Sequence, residues 1–335
     1  MSRRIAVILG GRSSENPISI ASATSVIDAL ERSGNEVVTV QIDREGHWEL
    51  GSGRRRLEAG SRLPERLPGR EVATTLADAD VVFPVLHGPF GEDGTVQGLL
   101  ELANVPYVGA GVLGSALCMD KDLFKAVLRD SGVPVTENIT LRLGDEARNP
   151  FGYPVFVKPA RLGSSVGITK AHDDDELRRG VALAFEHDEK VLVERFVSGI
   201  EVEVGVLGNQ RPIASLPGEI VVTHNEWYDF AAKYDEGEMD LIVPARLTDE
   251  QIKRAQELAV SAFVATECEG MARADMFVRD DGEVLVNELN TIPGFTSTSV
   301  YARLFEASGI DYAELLQRLA DLAVERFERR RQLRF

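Results

Sequence analysis

Apolar positions along the chain follow two rhythms. Ile5 to Leu9 form an unbroken apolar run bounded by Arg4 and by Gly10–Gly11. A run that short, closed by glycine, predicts a strand buried on both faces. Ile20, Ala23, Val26, Ile27 and Leu30 then recur at helical spacing, and Gly34 closes that pattern. EVVTVQI and ADVVFPVL read as further strands. Strands alternating with a helix predict a parallel α/β unit. Its loops at the carboxyl ends of strands, GGRSSEN and HGPFGEDG, are where such sheets bind ligands.

A glycine-rich stretch, VGAGVLGS, marks a boundary. A helical segment, MDKDLFKAVLRDSG, follows it and is closed by Gly132, with Pro134 beyond. YPVFVKP, KVLVERF and EVEVGVL read as short strands of a separate small α+β domain. Leu216 to Pro244 shows no periodicity and carries Trp227 and Tyr228. A stretch this long without a pattern predicts a functional lid or disorder. Ile252, Ala255, Leu258, Ala262 and Phe263 mark an amphipathic helix. A hairpin follows, and Tyr312, Leu315, Leu316, Leu319, Leu322 and Ala323 mark a closing helix. The basic tail ERRRQLRF reads as a solvated helix end, well placed for the helix dipole.

The hairpin ARADMFVRDDGEVLVNELN carries the first candidate chemistry. Asp281–Gly282 is a two-residue turn signal. With that turn, Asp280 pairs with Glu283, Asp275 falls opposite Glu288, and Arg273 falls opposite Asn290. All four of those inner side chains then share one face, with opposed Cβ atoms about 4.5–5.5 Å apart. Two carboxylates so placed repel unless a proton or a cation lies between them. An all-oxygen set of Asp, Glu and Asn suits magnesium. Ala274, Met276, Val278, Leu285 and Leu289 are the expected core face, with Asn287 the odd member. A surface hairpin with solvated charges is the alternative, and a turn at Asp280–Asp281 would break the pairing.

FVKPARLGSSVG supplies a second candidate. Lys158 ends an apolar strand, where it can meet a phosphate as a point charge. Gly163, Ser164, Ser165 and Gly167 make a donor-rich turn whose N–H groups can wrap phosphate oxygens. The lysine precedes the glycines, so this is not a P-loop opening a helix. A flap closing over phosphates is one reading, and an ordinary hairpin turn is the other.

Composition narrows the classes. The 335 residues suggest two or three domains, and 44% hydrophobic with 27% charged residues fits a globular protein. A net charge of −17 argues against a broad nucleic-acid surface. Cys118 and Cys268 are too few for a disulfide framework or a zinc site, and are expected to be small buried apolar residues. The opening apolar run is shorter than a signal sequence requires, and no run approaches the ~20 residues of a membrane span. A soluble cytoplasmic protein, with no membrane or nucleic-acid partner, is the expectation.

Taken together, the lysine-first glycine flap, the glutamates of VERFVSGIE and the Asp…Glu-x-Asn hairpin resemble the ATP-grasp carboxylate–amine ligases. Within that superfamily the chain resembles the D-alanine–D-alanine ligase family. The matching pieces run in order from GGRSSE through HGPFGEDGTVQGLLE, MDKDLFK, VKPARLGSSVG, VERFVSGIE, YDFAAKY and ARAD to NELNTIPGFTSTS. The resemblance implies three α/β domains of the ATP-grasp type: residues 1–118 for substrate, 119–206 with the flap, and 207–335 with the lid and the metal hairpin. ATP would sit between the second and third.

It also implies roles. Lys121 and Lys158 would meet the phosphates, Gly163 to Gly167, with Ser164 and Ser165, would form the flap, and Glu194, Val197 and Glu201 would hold adenine and ribose. Asp275, Glu288 and Asn290 would bind two magnesium ions, with manganese as a substitute. Glu15 would take the ammonium of the first D-alanine, with His87 nearby, and Ser299 the carboxylate of the second. Arg273 and the Gly294 N–H would stabilise the oxyanion. Glu15, Ser164 and Tyr234 would tie lid to flap, and Lys233 would reach a phosphate. Tyr234 favours an amine over D-lactate as nucleophile, and a homodimer is implied. Two positions depart from the family pattern: Asn16–Pro17 after Glu15, and Leu162 where some members carry a polar residue. Neither removes a catalytic group.

Overall fold

The structure, a computed structural model, describes residues 2–52, 70–222 and 239–334. Lys233 and Tyr234 lie outside the described residues.

The opening apolar run forms β1 (Arg4–Gly10), flanked by the parallel strands β2 (Glu36–Ile42) and β4 (Val81–Val85). A strand missed by the periodicity, β3 (Trp48–Ser52), adds antiparallel to β2, giving the order β3-β2-β1-β4. Helix α1 (Asn16–Arg32) packs on one face of this sheet. Helices α2 (Arg70–Ala77) and α3 (Thr95–Leu102) pack on the other. Pro17 stands in the first turn of α1, where its missing N–H has no partner to lose, so the departure after Glu15 still starts a helix.

Helices α4 (Val112–Met119) and α5 (Lys121–Asp130) follow the glycine-rich boundary. The second sheet has the order β5-β8-β6-β7, all antiparallel, from β5 (Asn138–Arg142), β6 (Val155–Pro159), β7 (Thr169–Ala171) and β8 (Lys190–Arg195), with α6 (Asp174–Phe185) beside it. The third sheet runs β12-β11-β9-β13-β14, with β10 on β9. Its strands are β9 (Ile200–Gly208), β10 (Ile213–Ala214), β11 (Gly218–Val222), β12 (Met239–Ile242), β13 (Gly270–Val278) and β14 (Val284–Asn290). Helix α7 (Asp249–Ala265), with α4 and α5, covers one face of it. Helices α8 (Val300–Ala307) and α9 (Tyr312–Arg331) complete the described chain. Cys118 and Cys268 are buried and unbridged.

Several expectations are corrected here. EVEVGVL, read as part of the small central domain, is β9 and pairs along its whole length with β13. The ends of the aperiodic stretch Leu216–Pro244 are strands, β11 and β12, joined as an antiparallel pair. The tail is not simply a solvated helix end. Arg329 pairs with Glu269, and Arg330 bridges Glu269 and Glu101. Arg326, buried at 3% exposure, stacks over Tyr107 at 4.2 Å and donates to the Gly109 and Tyr107 carbonyls. Thus α9 fastens the last part of the chain onto the first sheet, and the two share one apolar core.

The hairpin reaches the expected pairing by another route. Its turn is not the two-residue loop Asp281–Gly282, because Arg279 N donates to Glu283 O at 2.9 Å and encloses three residues. The ladder near the turn pairs Val278 with Val284 and Met276 with Val286, and shifts between Asp275 and Met276. That bulge absorbs the extra residue, Asn287, and restores Asp275 opposite Glu288 and Arg273 opposite Asn290. Val284 and Val286 therefore face the core, while Leu285 pairs with Phe277 on the other face.

Candidate active site

The register sets the chemistry of the third sheet. Alternation along β13 places Arg273, Asp275 and Phe277 on the face away from the α7 core, and pairing with β9 sets Glu203 beside Asp275 and Glu201 beside Phe277. Arg273 grips Asp275 through two N–H groups, Nε to Oδ1 at 2.7 Å and Nη2 to Oδ2 at 2.8 Å. Its Nε also lies 2.9 Å from the fully buried Glu203. Asn290 Nδ2 donates to Asp275 Oδ2 at 2.9 Å, and Lys121 Nζ lies 3.2 Å from Glu288. The opposed acids are thus held by cations and an amide.

Two cavities open on this ladder. The first, about 260 Å³, lies between the second and third sheets. Lys121, Lys158, Gly163 to Ser165, Glu194, Val197, Glu201 and Glu288 line it, so every expected nucleotide residue within the described chain is there. Lys158 Nζ contacts Glu194 at 2.5 Å, and Asn287 Oδ1 accepts from it at 3.4 Å. Beneath them, fully buried Lys125 reaches Glu194 at 2.8 Å and donates to Thr136. Burial alone would raise Glu194, but Lys125 and Lys158 outweigh it and hold the carboxyl down at about 2. Burial pulls Lys125 down to about 8 despite Glu194. Burial also opposes the charge on Lys158, yet Glu194 and Glu288 keep it above its ordinary value.

The second cavity, about 360 Å³, is lined by Glu15, His87, Arg273, Asn290, Gly294 and Ser299, among others. Gly163 and Ser164 line both cavities. Ser164 donates its hydroxyl to Glu15, the flap half of the expected Glu-Ser-Tyr set. Ser164 and Ser165 hold φ values of 51° and 57°, left-handed conformations rare for side chains with a Cβ. Consecutive residues in such a turn expose their N–H groups on one side, as an anion-wrapping loop needs. Lys121 Nζ donates to Leu162 O at 2.9 Å, tying α5 to the flap. Leu162 acts there through its backbone carbonyl.

His87 Nδ1 donates to Ile292 O at 2.9 Å, and burial lowers its basicity. Ser299 is the residue preceding α8, and its Oγ accepts the Thr296 N–H at 3.0 Å. Glu92 accepts from Gly88 N at 2.8 Å and Ile292 N at 3.0 Å. Desolvation, with Glu15 nearby, pushes its carboxyl up to about 8 against those two amides.

A family model described as D-ala D-ala ligase N-terminus matches residues 4–110, and one described as D-ala D-ala ligase C-terminus matches residues 127–321. The chain belongs to the D-alanine–D-alanine ligase family. It is 46% identical to a D-alanine–D-alanine ligase of Solibacter usitatus, over 100% of this chain and 99% of the relative. Identity to that of a Thermoanaerobacter species is 45%, over 96% and 97%. Among solved structures, the D-alanine–D-alanine ligase from Coxiella burnetii matches with a TM-score of 0.84 and 34% identity, covering 99% of this chain and 96% of the other. VanG D-Ala:D-Ser ligase from Enterococcus faecalis matches at 0.83 and 34%, covering 96% and 100%. A Bacillus anthracis D-alanine–D-alanine ligase complexed with ATP matches at 0.79 and 28%, covering 98% and 100%. The fold is that of the ATP-grasp ligases.

Sequence reasoning had passed over three residues. Lys125 was legible, since Lys121, Phe124, Lys125 and Leu128 share the buried face of α5, and a lysine on such a face needs an acid. Glu203 follows Glu201 by two and must share its face. Glu92 stood inside a quoted loop, but nothing local marks its partner 200 residues away.

Proposed function

We propose that the protein joins two D-alanine molecules at the expense of ATP, through a D-alanyl phosphate, to make the dipeptide for peptidoglycan precursors. The observation that carries this reading is the pair of cavities sharing Gly163 and Ser164, with the Arg273–Asp275–Glu288–Asn290 ladder at their junction. One cavity has the lysines for a triphosphate and the other has the paired charges for an amino acid.

Glu194, Val197 and Glu201 hold the base and ribose, and Lys121 and Lys158 the phosphates. Asp275, Glu288 and Asn290 are opposed oxygen donors whose charge is now balanced by Arg273 and Lys121, a donor set that fits magnesium. When bound, that cation would draw charge from the phosphates, which is most of what a protein contributes to phosphoryl transfer. Glu15 and His87 hold the first D-alanine so that its carboxylate attacks the γ-phosphorus and ADP leaves. Ser299 holds the second by its carboxylate. Its amine attacks the acyl carbon, Arg273 and the Gly294 N–H receive the developing oxyanion, and phosphate departs. The flap, with Lys233 and Tyr234, excludes water from the acyl phosphate.

We assign the lobes to residues 1–118, 119–206 and 207–335, with β9 lying across the last boundary. A homodimer in the cytoplasm completes the reading. Among the described residues, no helix is long and apolar enough to cross a membrane.

Because VanG D-Ala:D-Ser ligase is also a near structural neighbour, the test offers D-alanine, L-alanine, D-serine and D-lactate, with and without magnesium, and reads ADP and product mass. Magnesium-dependent ADP release with D-alanine, yielding its dipeptide from the mixture, supports the reading. Mostly D-serine or D-lactate product at neutral pH, or equal use of L-alanine, overturns it. Glu288→Gln is expected to stay folded and lose turnover, whereas wild-type turnover would contradict the metal assignment.

A further inference from the structure

Gly294 follows β14 on a loop with little regular structure of its own. Its N–H can serve an oxyanion only if the neighbouring peptides are fixed. The backbone on either side of it is held by side chains from elsewhere in the chain. Phe295 N donates to Ser22 Oγ at 3.2 Å, and Tyr312 donates to Phe295 O at 2.7 Å. On the other side, Ile292 is gripped at both ends of its backbone. His87 donates to its carbonyl at 2.9 Å, and Glu92 Oε1 accepts its N–H at 3.0 Å. Glu92 Oε2 accepts the Gly88 N–H at 2.8 Å, so one carboxyl group joins the loop after β4 to the loop after β14. Pro293, between the clasp and Gly294, has a fixed φ and transmits the position of Ile292.

We propose that Glu92 is a positioning residue for the second half of the reaction: by bridging Gly88 and Ile292 it aims the Gly294 N–H at the acyl carbon's oxygen. Glu92 touches neither the nucleotide cleft nor the phosphate-binding lysines, so its role separates from ATP binding. The inference rests on the ligase reading above and adds a residue to it.

The isosteric variant Glu92→Gln removes one of the two acceptors, because a side-chain amide offers a single oxygen and turns N–H toward N–H at the other site. Dipeptide turnover is expected to fall by about 10-fold to 100-fold, as for other displaced donors. The KM for ATP should stay within about twofold, since no nucleotide contact changes. The acyl phosphate then waits for the amine and loses some of its number to water, so ADP formed per dipeptide rises above one. A purely structural role would move thermal stability and ATP binding instead. If Glu92→Gln fails to fold, Glu92→Asp keeps the carboxyl group but cannot span both amides, and should show the same rise in ADP per dipeptide. Unchanged turnover and one ADP per dipeptide in the folded variant, or an equal loss of ATP affinity, overturns the proposal. A wild-type protein that releases no ADP with D-alanine overturns the ligase reading itself, which the same assay reports separately.

Discussion

Glu194 sits between the ammonium groups of Lys125 and Lys158, all three buried. Removing one member of such a set strands a buried charge, at a cost of about 3–5 kcal/mol. The pH dependence has a definite sign. The folded value of Glu194 is depressed from 4.5 to about 2, so its stabilisation is complete above about pH 4.5 and is lost as pH falls toward 2. Lys125 titrates in a different window, between about 8 and 10.5, and leaves the acid limb to the carboxylates. Glu194→Gln should therefore melt earlier at neutral pH and lose less melting temperature between about pH 5 and 3 than the wild type. Parallel melting curves across that acid range would contradict the account. At this scale much was readable: Lys121, Lys158 and Glu194, singled out from the sequence, line one cavity, and Glu15 and Arg273 line the other. What escaped was partnership. A sequence displays a lysine on an apolar helix face, but not the glutamate on another strand that satisfies it.

The metal-type hairpin shows how an element can arrive at an expected register by unexpected means. A two-residue turn in a regular ladder and a three-residue turn with one bulge place Asp275 opposite Glu288 equally well. The difference lies in Leu285 and Asn287, which regular alternation assigns to the core. The bulge instead frees Asn287 to meet Lys158 in the cavity between the second and third sheets. Gly282, at φ 88°, closes the turn, and no neighbour lies near enough to obstruct a methyl group there. Gly282→Ala should cost about 1–2 kcal/mol through backbone conformation alone. Turnover should be unchanged, because paired strands and the bulge set the active register. Denaturant titration beside steady-state rates checks this, and lost activity in a folded Gly282→Ala would mean that the turn governs the site. Turn length and bulges depend on cross-strand fit, which the period-two pattern does not encode.

For the whole molecule, the three sheets of the described residues are joined by side chains that cross between them. Arg326 and Arg330 fasten α9 to the first sheet's loops, and His87, Glu92 and Ser22 hold the loop after β14. The flap contributes Gly163 and Ser164 to both cavities. Many element types followed from local periodicity, though β3, β11 and β12 did not, and neither did the sheet to which β9 belongs nor the docking of α9, because these are decided by contacts far apart in sequence. The proposed reaction makes one chemical demand: an oxygen of the amino-acid carboxylate must pass to phosphate as the peptide bond forms. D-Alanine carrying heavy oxygen in both carboxylate positions, incubated with ATP and magnesium, tests this directly by mass analysis of the released phosphate. One heavy oxygen in each phosphate, matched to each dipeptide formed, is the predicted result, and phosphate free of label while dipeptide accumulates would contradict it.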